Sequence, residues 1–142
     1  MTKEKQTETI EETKEYLKGY ERAVRKLERI ELRIAEMRSR QVSPHVCLDG
    51  MPHVFSVKDL SGYAALLDEE ERRYMKSRYL CLRKCREITD KIERLSQDEE
   101  KAVLLHRYIK LQKWEDICEE MGYSWKHIHR IHTAALKNFK MT

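Results

Sequence analysis

Glycine and proline are scarce in this chain, at four and two among 142 residues. Reversals are therefore few. No apolar run approaches the ~20 residues that a membrane span requires. Met1 to Glu15 is polar and mixed in charge, without the apolar core of a signal peptide. These absences lead to the expectation of a cytoplasmic protein with no membrane partner. Cys47, Cys81, Cys85 and Cys118 form no C-x-x-C pair; they read as small buried apolar side chains in a reducing compartment. His45, Cys47 and His53 lie near one another, but their spacing matches no structural zinc pattern and a fourth ligand is not evident. A Gly-rich phosphate loop, a Ser/His/Asp arrangement and a distinctive carboxylate pair are also missing. No enzyme, cofactor or metal is expected.

What the chain does have is charge and helical periodicity. Charged residues make up 38% and hydrophobic residues 40%, enough apolar surface for modest cores. An all-α fold is expected, with a helical hairpin or coiled coil over residues 1–95 and a small helix-turn-helix domain over 96–142. The first helix should run from about Glu8 to Arg40, because Leu17, Tyr20, Val24, Leu27, Ile30, Ile34 and Met37 step by three and four. Glu21 and Arg25 have the four-residue spacing that supports a helix, and Gly19 weakens it by about 1 kcal/mol relative to Ala. Residues 41–60 hold Pro44, Gly50 and Pro52 and read as a connector rich in apolar residues, with a short hairpin about Leu48–Met51 as one option.

A second long helix comes next, to about Leu95. Its seam is Leu67, Tyr74, Cys81, Ile88 and Leu95 at every seventh position, with Cys85 and Ile92 between. The seam can pair with the first helix in an antiparallel hairpin or with a second copy in a homodimer. Ser96-Gln97-Asp98-Glu99 has the form of a capping box. It should open a helix to about Lys110 with Val103, Leu104, Tyr108 and Leu111 on its buried side. After a turn at Leu111–Lys113, a helix from Trp114 to Met121 should be stopped by Gly122. Ser124 should cap the last helix, from Trp125 to about Phe139, with Ile128, Ile131, Ala135 and Phe139 inward.

Charge is unevenly placed. Residues 121–142 carry Lys126, Arg130, Lys137 and Lys140 and no Asp or Glu, while the first 120 residues carry 25 charges of each sign. The whole excess of +4 therefore sits after the Gly122 turn. A helix-turn-helix needs an apolar base, here Ile117, Cys118, Met121, Tyr123, Ile128 and Ile131, and a second helix with polar residues outward. Ser124, Trp125, Lys126, His127, His129, Arg130 and Thr133 are the candidate DNA-reading residues, with Lys137 and Lys140 as phosphate contacts. His127 and His129 diverge by about 200° around a helix and cannot share an ion. His129 and His132 could, but they supply only two ligands.

Residues 95–139, with the run Ile117-Cys118-Glu119-Glu120-Met121-Gly122-Tyr123-Ser124 and then Ile128, Ile131 and Ala135-Leu136, resemble region four of the sigma-70 family. That resemblance implies recognition of a −35 promoter element. Cys118, Met121 and Tyr123 are variants of the family's Ile-Ala-Glu-Glu-Leu-Gly-Val-Ser run. Trp125, His127 and His129 stand where the family commonly carries Arg. Nothing resembles the region that melts the −10 element. With its long charged helical front, the whole chain is similar to small phage and prophage regulators of the ArpU type.

The resemblance implies a sequence-specific DNA-binding transcriptional regulator of phage or prophage origin. It would act on late-gene promoters with RNA polymerase and dimerise or engage polymerase through its N-terminal helices. The alternatives are a phage DNA-packaging recognition subunit, or a helical adaptor that does not bind DNA and whose basic tail meets an acidic protein.

Overall fold

The computed structural model describes residues 3–42 and 57–142. All regular structure among them is helical: α1 (Lys3–Leu17), α2 (Gly19–Val42), α3 (Val57–Ile92), α4 (Asp98–Leu104), a π-helical turn (Leu105–Ile109), α5 (Trp114–Met121) and α6 (Trp125–Asn138). The fold is all-α, as expected. No helix among the described residues is long and apolar enough to cross a membrane. The connector is shorter than 41–60, because α2 reaches Val42 and α3 starts at Val57. The proposed hairpin at Leu48–Met51 and the cluster of His45, Cys47 and His53 lie outside the described residues.

The chain divides into two compact units. One comprises residues 25–80. Ile30 and Ile34 of α2 are buried there, as is Ser77 of α3, and Leu67 and Tyr74 of the seam are half-buried. Arg33 pairs with Glu70 at 3.4 Å and Arg38 with Glu71 at 2.8 Å. Each pair has an exposed arginine, and pairs of this kind contribute little stability; the apolar stripes hold the two helices together.

The other unit joins residues 1–24 to residues 81–142. This division differs from the expected boundary at 95/96, because the end of the seam and the C-terminal helices share one core. Leu17, Ile88, Ile92 and Leu95 are buried with Leu104, Tyr108, Ala135, Leu136 and Phe139. Here α1 and α3 are antiparallel: Tyr16 meets Glu87 (2.5 Å) and Lys91 (2.6 Å), while three residues later Gly19 faces Lys84. Lys84 and Lys91 sit over the Tyr16 ring at 4.6 and 4.5 Å, a cation–π arrangement. Burial, and then the Glu87 carboxylate, hold the Tyr16 phenol above its ordinary pKa.

Three local expectations are corrected. The helix expected over Glu8–Arg40 is two abutting helices that start at Lys3 and break at Lys18. A Cβ on Gly19 would lie 2.7 Å from Lys84 Cε, so the glycine leaves room for the lysine to cross to Tyr16. The Ser96 capping box does not form. Gln97 is the N-cap of α4 with no side-chain cap bond, one residue later than the box requires, and Glu99 accepts from the Tyr123 hydroxyl at 2.6 Å. The helix expected to reach Lys110 changes to π geometry at Leu105, and Leu111 adopts a left-handed backbone with φ 56°.

Cys81 is buried, and Cys85 and Cys118 are half-buried; all three are free thiols. Burial pushes the Cys81 thiol pKa up, which suits an unreactive packing residue.

Ile88 is fully buried, whereas Leu32 is 65% exposed. Ile88→Ala is expected to cost about 2–5 kcal/mol. Leu32→Ala should stay within about 0.5 kcal/mol of the parent. Urea denaturation of the two variants checks the assignment of the seam.

Candidate nucleic-acid interface

The pair α5–α6 arises from local chemistry. Glu115 and Asp116 occupy the first turn of α5, where the helix dipole favours negative charge. Gly122 ends α5 at φ 69°, a left-handed conformation in which a Cβ is disfavoured. Ser124 caps α6, its hydroxyl oxygen accepting from the His127 N–H at 3.3 Å. These elements match the sequence expectation closely.

Two cores anchor α6. Val103, Ile117, Ile128 and Ile131 form one, with Trp114, Cys118, Met121 and Tyr123 packed against it. Ala135, Leu136 and Phe139 belong to the other. Asn138 donates to both carboxylate oxygens of the buried Glu100, at 3.1 and 3.2 Å.

The nine candidate residues separate by environment. Lys126, Arg130, Thr133 and Lys137 are spaced four, three and four apart, so they share one face of α6. Lys140 is exposed beyond the end of the helix. The hydroxyls of Ser124 and Thr133 are engaged locally, Ser124 in the cap and Thr133 with the His129 carbonyl at 2.9 Å. Trp125 is 52% exposed and tilts onto His129 at 4.7 Å. Arg130 lines a groove with Glu99 and Glu100 between α4 and α6, which tempers its positive potential.

The histidines are placed differently from the outward reading. His127 packs edge-on against Tyr123 at 4.6 Å. His129 is half-buried between Trp125 and Trp114, and its Nε2 is buried with no hydrogen-bond partner among the described residues. Both rings serve the packing of the helix pair. His132, absent from the candidate set, is buried on the inner side. Its Nε2 is 2.8 Å from the Tyr108 hydroxyl, and Trp114 meets its ring edge-on at 4.7 Å. The sequence carries a signal for this placement: Ile128, His132, Ala135 and Phe139 step by four, three and four along the inner stripe.

Burial, and then the nearby Lys14 charge, brings the His132 pKa down to about 4. Burial likewise raises the Tyr108 phenol to about 12. The pair is therefore neutral at pH 7. His132 Nε2 is engaged by Tyr108, which removes it as a ready ligand for an ion shared with His129. Among the described residues no group of three or more His, Cys, Asp or Glu is placed to hold a metal.

No family model matches this chain, and no curated protein or solved structure matches it either.

Because His132 takes up a proton more readily unfolded, near pH 6.5, than folded, near pH 4, its contribution to stability is full above about pH 6.5. It is lost as pH falls toward about 4, amounting to roughly 3 kcal/mol. Urea midpoints measured across that window should fall more steeply for the parent than for Tyr108→Phe/His132→Phe. Equal slopes would contradict the assignment.

Proposed function

We propose that α5 and α6 act as a helix-turn-helix that binds double-stranded DNA, with α6 in the major groove. The observation that carries this reading is the stripe of Lys126, Arg130, Thr133 and Lys137 on one face of an acid-free helix. Lys126 and Arg130, nearer the helix N-terminus, are the candidates for base edges, with Trp125 at the rim. Lys137 and Lys140 are the candidates for backbone phosphates. Taken with the resemblance to sigma-70 region four, this supports a cytoplasmic transcriptional regulator of phage or prophage type that works at late-gene promoters with RNA polymerase.

Four cations give modest affinity, with a salt slope no steeper than about −4 per monomer. Replacing Lys137 or Lys140 by Ala should weaken all sequences alike and flatten that slope by about one unit each. Replacing Lys126 or Arg130 should also relax sequence preference. Fluorescence anisotropy at several salt concentrations, on sequences selected from a random pool, measures both effects. If the variant lacking all four cations keeps the parent affinity, DNA binding through α6 is wrong and the adaptor reading gains.

Modest affinity per monomer favours binding as a homodimer. The seam of α3 is turned toward its neighbours within the chain, so a second copy would use another face. Met75, Tyr79 and Leu82 of α3 are 62%, 64% and 62% exposed and lie four and three apart, which suits pairing of α3 with a second copy. Sedimentation should show a dimer that Tyr79→Arg/Leu82→Arg converts to monomer, with a shallower salt slope on DNA. A monomeric parent protein would exclude this arrangement.

A further inference from the structure

We propose that the cleft flanked by α1 and α6 binds a small anion carrying one or two phosphate groups. The cleft has a volume of about 270 Å³ and is lined by Lys14, Lys18, Glu21, Arg107, His129 and His132, with Tyr108 and Trp114 in its wall. That volume lies just below the range of roughly 300–1,000 Å³ that receives drug-sized ligands. It suits inorganic phosphate or pyrophosphate better than a whole nucleotide.

Three permanent cations face one carboxylate in this space. Lys14 pairs with Glu11 at 3.0 Å and Lys18 with Glu15 at 3.6 Å, but an ammonium has three donors and such surface pairs are weak. Arg107 is held in place by donation to the Gln112 carbonyl at 3.0 Å and by stacking on Trp114 at 4.8 Å. A fixed guanidinium offers a planar fork that phosphate oxygens match.

His129 lines the same cleft, and its Nε2 is buried without a hydrogen-bond partner among the described residues; a buried polar atom left unpaired is costly. Burial does most to lower the His132 pKa, and the Lys14, His129 and Arg107 charges lower it further. The outward stripe of α6 can meet the monoanionic phosphates of a duplex, whereas this concave, lysine- and arginine-lined space fits a compact, more highly charged anion.

The test uses the full chain with Trp125→Phe, leaving Trp114 as the only tryptophan reporter. Sodium pyrophosphate, then inorganic phosphate, is titrated without DNA at an ionic strength held constant with chloride. A saturable change in Trp114 fluorescence is expected. Lys14→Gln and, separately, Lys18→Gln should each weaken it about tenfold or more, with the thermal melt checked for each variant. A response no different from chloride, or saturable binding that neither substitution weakens, would overturn the proposal. So would a response to a short duplex with none to pyrophosphate, which would give the cleft to DNA. The measurement contains no promoter DNA in its main arm, so it can fail while DNA binding by α6 stands.

Discussion

The constraint on which the C-terminal half depends is that α6 must satisfy two cores at once. Val103 and Leu104 are adjacent and fully buried, yet they belong to different clusters. Along α6 the same division recurs: Ile128 and Ile131 pack toward α5, while Ala135, Leu136 and Phe139 pack with Leu17, Ile88 and Ile92. With side chains committed in two directions, rotation of α6 about its axis would expose apolar surface at one core or the other. The outward stripe is thereby fixed as strictly as the inward one. The proposed contact with DNA would draw on that rigidity.

A row of aromatic rings reinforces the same helix. Trp125 meets His129, His129 meets Trp114, Trp114 meets His132, and His132 stacks with Tyr108. Each of these contacts involves an imidazole, a group that in solvent would switch its charge near neutral pH. Packing draws two imidazoles of a basic helix into this row, and burial holds that of His132 well below its ordinary pKa.

What could be read from the sequence divides along the same line between local and tertiary causes. The bounds of α5, the Gly122 stop and the Ser124 cap were legible because each depends on backbone chemistry within a few residues. The apolar stripes of α2 and α3 were legible because periodicity records burial. The Ser96 box did not form because α4 is entered one residue later, at Gln97, while Glu99 pairs with Tyr123 across the fold, a partner invisible to a four-residue motif. The packing of His129 depends on Trp114, from another helix, and on Trp125, whose direction the sequence leaves open. The compact units divide elsewhere than at 95/96, since Leu95 is buried among residues from α1, α4 and α6. For the proposed interface, the stripe of cations was written in the sequence, but the tempering of Arg130 by Glu99 and Glu100 required the groove between α4 and α6 to be seen.

The π-helical turn at Leu105–Ile109 closes the helix begun by α4, before the left-handed Leu111 leads the chain toward α5. Its widened hydrogen bonding, with the Lys110 N–H reaching the Leu105 carbonyl at 2.9 Å, accommodates an additional residue relative to an α-helical ladder. Deleting one residue there could restore ordinary α geometry locally at little cost. Because the wider turn takes up that residue within its own winding, the deletion would leave the phase of the following chain nearly unchanged. A one-residue change of length in this short stretch can therefore be absorbed by a switch between π and α winding, while the turn at Leu111–Lys113 governs how the chain enters α5.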